Sequence, residues 1–294
     1  LQSAATAAQG EFMPVSIPEL SELLEAGVHF GHASARWHAK MAPYIFATRD
    51  KLHILDVEKT RTALETVLPV ISQRIAAGNR FMLVGTKRQV APLIRELGAE
   101  LNVSYVDERW LGGTLTNSAQ IQQSIKRMVR LEEALEDEVQ MAKFTKKERT
   151  LMAAEVRRLH IKYAGLRNSA GKPDFMIVVD PNHERNAVRE ARSEGVELFG
   201  IMDTDSNPDS VDFVIPANDD GPKSLKLIMG LVKAAIAEGL ANRPAETSAV
   251  AAPATKEEEQ LDEIRPEEVK LSEDVVAVVE EVEAELTEVP EVTK

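Results

Sequence analysis

The sequence predicts an α/β fold: a parallel sheet doubly wound by helices, with an inserted antiparallel helical hairpin and a disordered acidic C-terminal tail. Three observations predict it. Short runs that are apolar throughout, such as Phe81–Val84 and Phe175–Val179, alternate with helical stretches, as expected of strands buried on both faces. Between those two runs lies a long insertion whose apolar residues fall at 4-3-4-3 spacing. From Pro244 to Lys294 there are 16 acidic and 4 basic residues, four prolines and no aromatic, too little apolar surface to fill a core.

Residues 1–12 are small and polar, and read as a cloning-vector remnant or a disordered N-terminus. The globular domain is expected over 13–114 and 167–243. Ser16-Ile-Pro18-Glu19 predicts a helix start, with Ser16 as cap and Pro18 where no amide proton is needed, running to about Gly27. Strands follow at Tyr44–Phe46 and His53–Leu55, then an amphipathic helix from Lys59 to Ala77. Phe81–Val84 is a strand, Gln89–Leu97 a helix ended by Gly98, and Val103–Val106 a strand. After the insertion come strand Phe175–Val179, helix Glu184–Ser193, strands Glu197–Met202 and Val211–Ile215, and helix Ser224–Glu238.

The insertion, 115–166, reads as a coiled-coil hairpin. Met152, Val156, Leu159, Tyr163 and Leu166 form one seam, and Ile121, Ile125, Met128, Leu131 and Leu135 a rougher one. Its second half is basic: Val139 to Lys172 holds nine Lys and Arg against two Glu. The net charge of −13 belongs to the tail, 244–294, because Met13–Arg243 carries 31 acidic and 31 basic residues. An acidic chain is therefore no argument against nucleic-acid binding. The chain has no cysteine, which excludes a disulfide scaffold and a thiolate zinc site and suits a reducing compartment. No run reaches about 18 consecutive apolar residues, the length of a membrane-spanning helix.

Several short motifs sit at predicted strand ends. Gly85-Thr86-Lys87-Arg88 follows a strand and precedes a helix, where backbone amides with Lys87 and Arg88 suit a phosphate. A complete P-loop and G-x-G-x-x-G are both absent, as are G-x-S-x-G and H-E-x-x-H. Arg109-Trp110-Leu111-Gly112-Gly113 lies between strand and hairpin, with Trp110 either a core anchor or a base stacker. His29 and His32 are three residues apart, and Asp203, Asp205, Asp219 and Asp220 follow two late strands. In a parallel sheet these strand ends face one side. A divalent site using His32, Asp203 and Asp219, holding Zn or Mg, is one reading. A plain His–Asp hydrogen bond is the other.

The chain resembles the ribosomal protein S-two family of the small subunit, bacterial or organellar in type. The resemblance rests on Leu24–His32 (LEAGVHFGH), Lys40–Phe46 (KMAPYIF), His53–Asp56 with Lys59-Thr60, Val84–Lys87, Arg109–Asn117 (RWLGGTLTN), Thr145–Glu148 and Val211–Asp220 (VDFVIPANDD). These occur in the family's order across about Pro18–Leu240. His38-Ala39, the order of Asp203–Pro208 and Ala217 depart from the family's pattern.

The resemblance implies a flavodoxin-like domain with a coiled-coil hairpin. It also implies a structural, non-enzymatic role in the ribosome, in the cytoplasm or an organelle matrix or stroma, with no required cofactor. Implied partners are small-subunit ribosomal RNA and neighbouring small-subunit proteins, including the S-one protein. The residue reading agrees in placing RNA contacts at Arg36, Lys40, Arg49, Lys87, Arg88, Arg109, Lys146, Lys147, Arg157 and Arg158. Two alternatives stay open. One is a nucleotide- or phosphosugar-binding α/β enzyme using Gly85–Arg88, and the other is a non-ribosomal scaffold built on the hairpin.

Overall fold

The structure, a computed structural model, describes residues 15–169 and 171–244. The expectations for residues 1–12 and for the acidic tail beyond Pro244 lie outside the described residues. The first helix, α1, spans Leu20–Glu25. It begins two residues after Pro18, because Glu19 keeps an extended backbone (φ −65°, ψ 157°) and no side chain caps the helix. Next come β1 (Phe30–Ala33), a 3-10 turn (Ala39–Tyr44), β2 (Ile45–Arg49) and β3 (Leu52–Leu55).

These strands form an antiparallel sheet in the order β1-β3-β2. Strand β1 is a finding. Gly31 and His32 interrupt any apolar alternation there, and the strand exists through its pairing of Phe30 with Ile54 and Ala33 with Leu52. Asp50 and Lys51 both take positive φ (51° and 64°), the two-residue connection whose twist suits a hairpin.

Helix α2 (Val57–Ala76) is capped by Asp56, whose carboxylate accepts from the Glu58 amide at 3.1 Å. Strand β4 (Phe81–Val84), helix α3 (Ala91–Leu101) and strand β5 (Ser104–Val106) follow. Gly98 does not end α3 as expected; Asn102 does, in the left-handed region. Gly98 lies inside the helix because the Tyr105 ring packs where its side chain would stand.

Residues Asn117–Arg167 form a compact unit of their own. It contains α4 (Ser118–Glu136), α5 (Glu138–Met141) and α6 (Lys146–Tyr163). Met128, Leu131, Met152 and Leu159 are buried between α4 and α6, with Met141 and Phe144 closing the same cluster. Asp137 caps α5, and Thr145 with Glu148 forms a reciprocal capping box on α6. Glu155 is buried on α6 beside Arg158 (2.8 Å) and Arg127 (3.6 Å).

The remaining elements are β6 (Phe175–Val179), α7 (Arg185–Glu194), β7 (Glu197–Met202), β8 (Phe213–Pro216) and α8 (Pro222–Ala241). Strands β4 to β8 build one parallel sheet in the order β5-β4-β6-β7-β8. Counted along the chain this is 2-1-3-4-5, the flavodoxin-like order. The register aligns Phe81 with Phe175 and Phe199 with Phe213. Their rings form a row across the sheet at 4.5–5.3 Å between neighbours. That row belongs to the main core, shared with Leu64, Leu68 and Ile71 of α2, Ile94 of α3, and Ile228 and Val232 of α8.

Candidate functional site

In an open parallel sheet, ligands gather outside the carboxyl ends of the strands, where the strand order reverses. Here that point lies between β4 and β6. The loop after β4 is Gly85-Thr86-Lys87, and the loop after β6 is Asp180–Glu184. They are tied to each other: Glu184 Oε1 accepts from the Thr86 amide at 2.9 Å and from its hydroxyl at 2.5 Å. Asp180, held at φ 55°, turns the second loop and accepts from the amides of Asn182 (3.0 Å) and His183 (3.1 Å).

Lys87 completes the closure. Its side chain is 13 % exposed, and Nζ lies 2.7 Å from Asp180, 2.8 Å from Asp219 and 2.8 Å from Asp220. Burial alone would lower its pKa, but the carboxylates of Asp219, Asp180 and Asp220 raise it above the ordinary lysine value. This corrects the phosphate role expected of Lys87, because a cation held by three carboxylates is not presented to a phosphate. Asp219 is driven the other way. Burial, with Asp180 beside it, pushes its carboxyl up to about 8 against the opposing pull of Lys87. One ammonium does not neutralise three carboxylates, which is why the most buried of them is the one driven upward.

His32 and Asp203 meet as a pair: Nδ1 is 2.8 Å from Asp203 Oδ2. The other nitrogen, Nε2, faces Asp220 (3.4 Å) and Asp205 (3.8 Å). The hydrogen bond to Asp203 raises the imidazole to about 9, against burial and with help from Asp205 and Asp219. Gly31 makes room for this contact. A Cβ there would stand 2.9 Å from Thr204 Cγ2, 3.0 Å from Asp203 Oδ1 and 3.0 Å from the His53 carbonyl.

The expected metal trio is therefore divided. Asp203 orients His32 through Nδ1, while the oxygens able to share an ion with His32 are those of Asp219 and Asp220. Oδ2 of Asp219 is buried without a hydrogen-bond partner, which suits a further cation. Lys87, already among the same oxygens, supplies the countercharge that a metal would bring.

The Arg109–Asn117 segment is organised by a residue that sequence reasoning passed over. Glu190, on α7, accepts from Trp110 Nε1 (3.1 Å) and from the amides of Gly113 (2.8 Å), Leu115 (3.1 Å) and Thr116 (3.4 Å). Burial raises its pKa, but these donors outweigh it and hold the carboxyl below the usual glutamate range. Trp110 is buried, so of the two readings offered for it the core anchor holds. An acid at a helix position carries no mark in the sequence, and only the folded loop reveals its donors.

The remaining cations differ in setting. Arg36 pairs with Asp205 at 2.8 Å, Lys40 with Asp209, and Arg49 approaches Asp50 at 3.8 Å; all three side chains are more than half exposed. Arg88, Arg109, Lys146, Lys147 and Arg157 are exposed. Arg158 is bound to Glu155. The sequence reading also missed four large apolar side chains left exposed on and beside the antiparallel sheet. Phe46 is 75 % exposed, and Phe30, Trp37 and Leu52 are each more than two fifths exposed.

The flavodoxin-like crevice is thus bridged by its own Thr86–Glu184 and Lys87–carboxylate contacts. A family model described as Ribosomal protein S2 matches residues 23–239, and the chain belongs to that family, whose members are structural proteins and not enzymes.

It is 43 % identical over 208 residues to the small ribosomal subunit protein uS2 of Coxiella burnetii (strain Dugway 5J108-111), covering 71 % of this chain and 66 % of the relative. The protein of the same name from Methylorubrum populi is 42 % identical over 221 residues, 75 % of this chain and 62 % of the relative. That from Xanthobacter autotrophicus is 42 % identical over 228 residues, 77 % and 68 % respectively. The match thus spans just under two thirds of the length of the first two relatives. Among the described residues, no helix is long and apolar enough to cross a membrane.

Proposed function

We propose that this protein is a structural constituent of the small ribosomal subunit, binding small-subunit ribosomal RNA and helping to dock the S-one protein. The observation that carries this is the family match over residues 23–239, which takes in nearly all the described chain. RNA contacts fall to Arg36, Lys40, Arg49, Arg88, Arg109, Lys146, Lys147, Arg157 and Arg158, leaving Lys87 to the carboxylates. We read α4 and α6 as an antiparallel coiled-coil hairpin that carries the last four, within domain limits of 115–166. Residues 13–114 and 167–243 form the globular body, and 244–294 the acidic tail. Structured RNA is gripped largely through backbone and shape, for which scattered surface cations suffice.

Exposed large apolar side chains are what protein partners cover, and we assign the protein contact to the antiparallel sheet that carries Phe30, Phe46 and Leu52, with Trp37 beside it. Co-sedimentation with small subunits through a high-salt wash tests the whole reading. The chain is expected to stay with the subunit, and its release as free protein would remove the ribosomal role. Phe46→Glu should weaken S-one retention and spare RNA binding.

A divalent ion is a second reading, favoured by the unpartnered Oδ2 of Asp219 near His32 Nε2 and Asp220. It requires a melting temperature that falls with chelator, more so at pH 7.5 than at 5.5, because a metal needs neutral imidazole. No chelator effect and no metal in the purified protein end this reading.

A further inference from the structure

The parallel sheet has a second edge. At the amino ends of β4 and β5 lies a cavity of about 270 Å³, bounded by the turn before β4, the end of α3, the segment before β6 and the end of α8. Such a volume lies just below the range of small-ligand sites, about 300–1,000 Å³, the scale of a single base rather than of a larger ligand. Its walls carry three kinds of chemistry.

The first is cationic. Arg243 donates from Nη2 to the Gly78 carbonyl at 2.7 Å, while its Nε is buried without a partner. Arg80 stands beside the cavity on the exposed side, with Nε 4.0 Å from Asp174, the outer limit of an ion pair. The second is a matched amide pair. Asn168 Nδ2 donates to Asn102 Oδ1 at 2.5 Å, and as assigned this single contact leaves the Asn102 amino group as a donor and the Asn168 carbonyl oxygen as an acceptor. A donor beside an acceptor is what the edge of a nucleobase requires. The third is apolar: Leu101, Val103 and Leu240 supply a surface for the face of a ring.

From this combination we infer that the cavity at the amino edge takes one unstacked nucleotide of RNA. Its base edge lies on Asn102 and Asn168, its face on the apolar wall, and its phosphate on Arg80 and Arg243. Unstacked bases are the part of an RNA that proteins read by hydrogen bonding, and guanidinium groups suit phosphate oxygens. Arg80 lies on the exposed side of the cavity, which lets the phosphate continue outward as a chain, so RNA rather than free nucleotide is the source. The inference rests on the ribosomal reading above and adds a specific residue-level contact to it.

The test is ultraviolet cross-linking of small subunits carrying the full chain, with the joined peptides identified by mass spectrometry. Cross-links to peptides containing Arg80, Asn102 or Asn168 are expected. Yield should fall about tenfold in Arg80→Ala, the scale of a lost hydrogen bond to a charged group. Asn168→Ala, at an exposed position that leaves the core intact, should also lower it and keeps the test valid if the arginine variant folds poorly. A subunit that holds the chain but shows no cross-link at these peptides overturns the cavity assignment and leaves the ribosomal reading standing. A chain that does not enter subunits overturns that reading instead. Micromolar binding of free uridine or adenosine monophosphate, abolished by Asn168→Ala and without a subunit cross-link, overturns RNA as the source.

Discussion

The two edges of the parallel sheet make opposite use of polar side chains. At the carboxyl edge, Lys87 sits among Asp180, Asp219 and Asp220, Glu184 bridges two loops, and His32 is bound to Asp203. At the amino edge, Arg243 keeps a buried Nε unpartnered and an asparagine pair retains a donor and an acceptor. The usual ligand position of the fold is largely filled by the protein's own side chains, with Oδ2 of Asp219 its unpartnered buried oxygen, while the other end of the strands keeps a buried guanidinium nitrogen and an amide pair unfilled. Topology marks where a site is easy to build; whether one is present depends on which polar groups are left without partners.

The largest expected effect tests the carboxyl edge directly. Lys87→Met removes the ammonium from three carboxylates, two of them buried, and should cost about 3–5 kcal/mol in denaturant unfolding, as for a broken buried ion pair. A loss under about 1 kcal/mol would mean that the cluster is solvated and the contrast between the edges is false.

The next effect comes from pH. The folded His32 pKa of about 9 exceeds its unfolded value of 6.5. Its stabilisation is therefore complete below pH 6.5 and is lost as pH rises towards 9. Asp219, raised to about 8 from 3.8, favours the folded state while protonated, so its contribution is also lost as pH rises towards 8. Unfolding free energy measured at pH 6, 7.5 and 9 should fall steadily, by about 3 kcal/mol from His32 at 1.36 kcal/mol per pKa unit. A flat or rising profile would remove the His32–Asp203 ion pair from the account.

Gly31→Ala should cost about 1–3 kcal/mol, the scale of an overpacked position, because backbone as well as side chains crowd the new methyl group. The smallest effect belongs to the amino edge: Asn168→Ala should change stability by no more than about 0.5 kcal/mol, as expected of a surface substitution. A large loss there would show that the cavity wall serves the fold rather than a ligand.

The parallel sheet was legible because strands buried on both faces leave uninterrupted apolar runs, and β4 and β6 are such runs. Strand β1 was not, because Gly31 is there to admit Asp203 and Thr204, a reason that lies more than 170 residues away along the chain. The aspartates at the strand ends were read correctly as one cluster, and so was the nearness of His32. The division of labour within it was illegible: Asp203 orients the imidazole, and Lys87 turns inward instead of out to a phosphate. Glu190 shows the same limit, since an acid on a helix carries no sign of the loop amides it will receive. The amino-edge cavity left no trace, because its walls come from four separated segments with no motif among them.

The register of the sheet also has a consequence for the order in which the chain can be assembled. Strand β4 lies between β5 and β6, and its partner Phe175 follows Phe81 only after the entire Asn117–Arg167 unit. At ribosomal speeds of about 5–20 residues per second, β4 waits roughly five to twenty seconds for that neighbour. From the completion of β5 to the end of that interval a two-stranded fragment would show an apolar edge to the cell, and Glu190, the acceptor for the Trp110 loop, would not yet have been made. Nascent chains stalled between residues 120 and 170 are thus the stage at which a chaperone has most to cover.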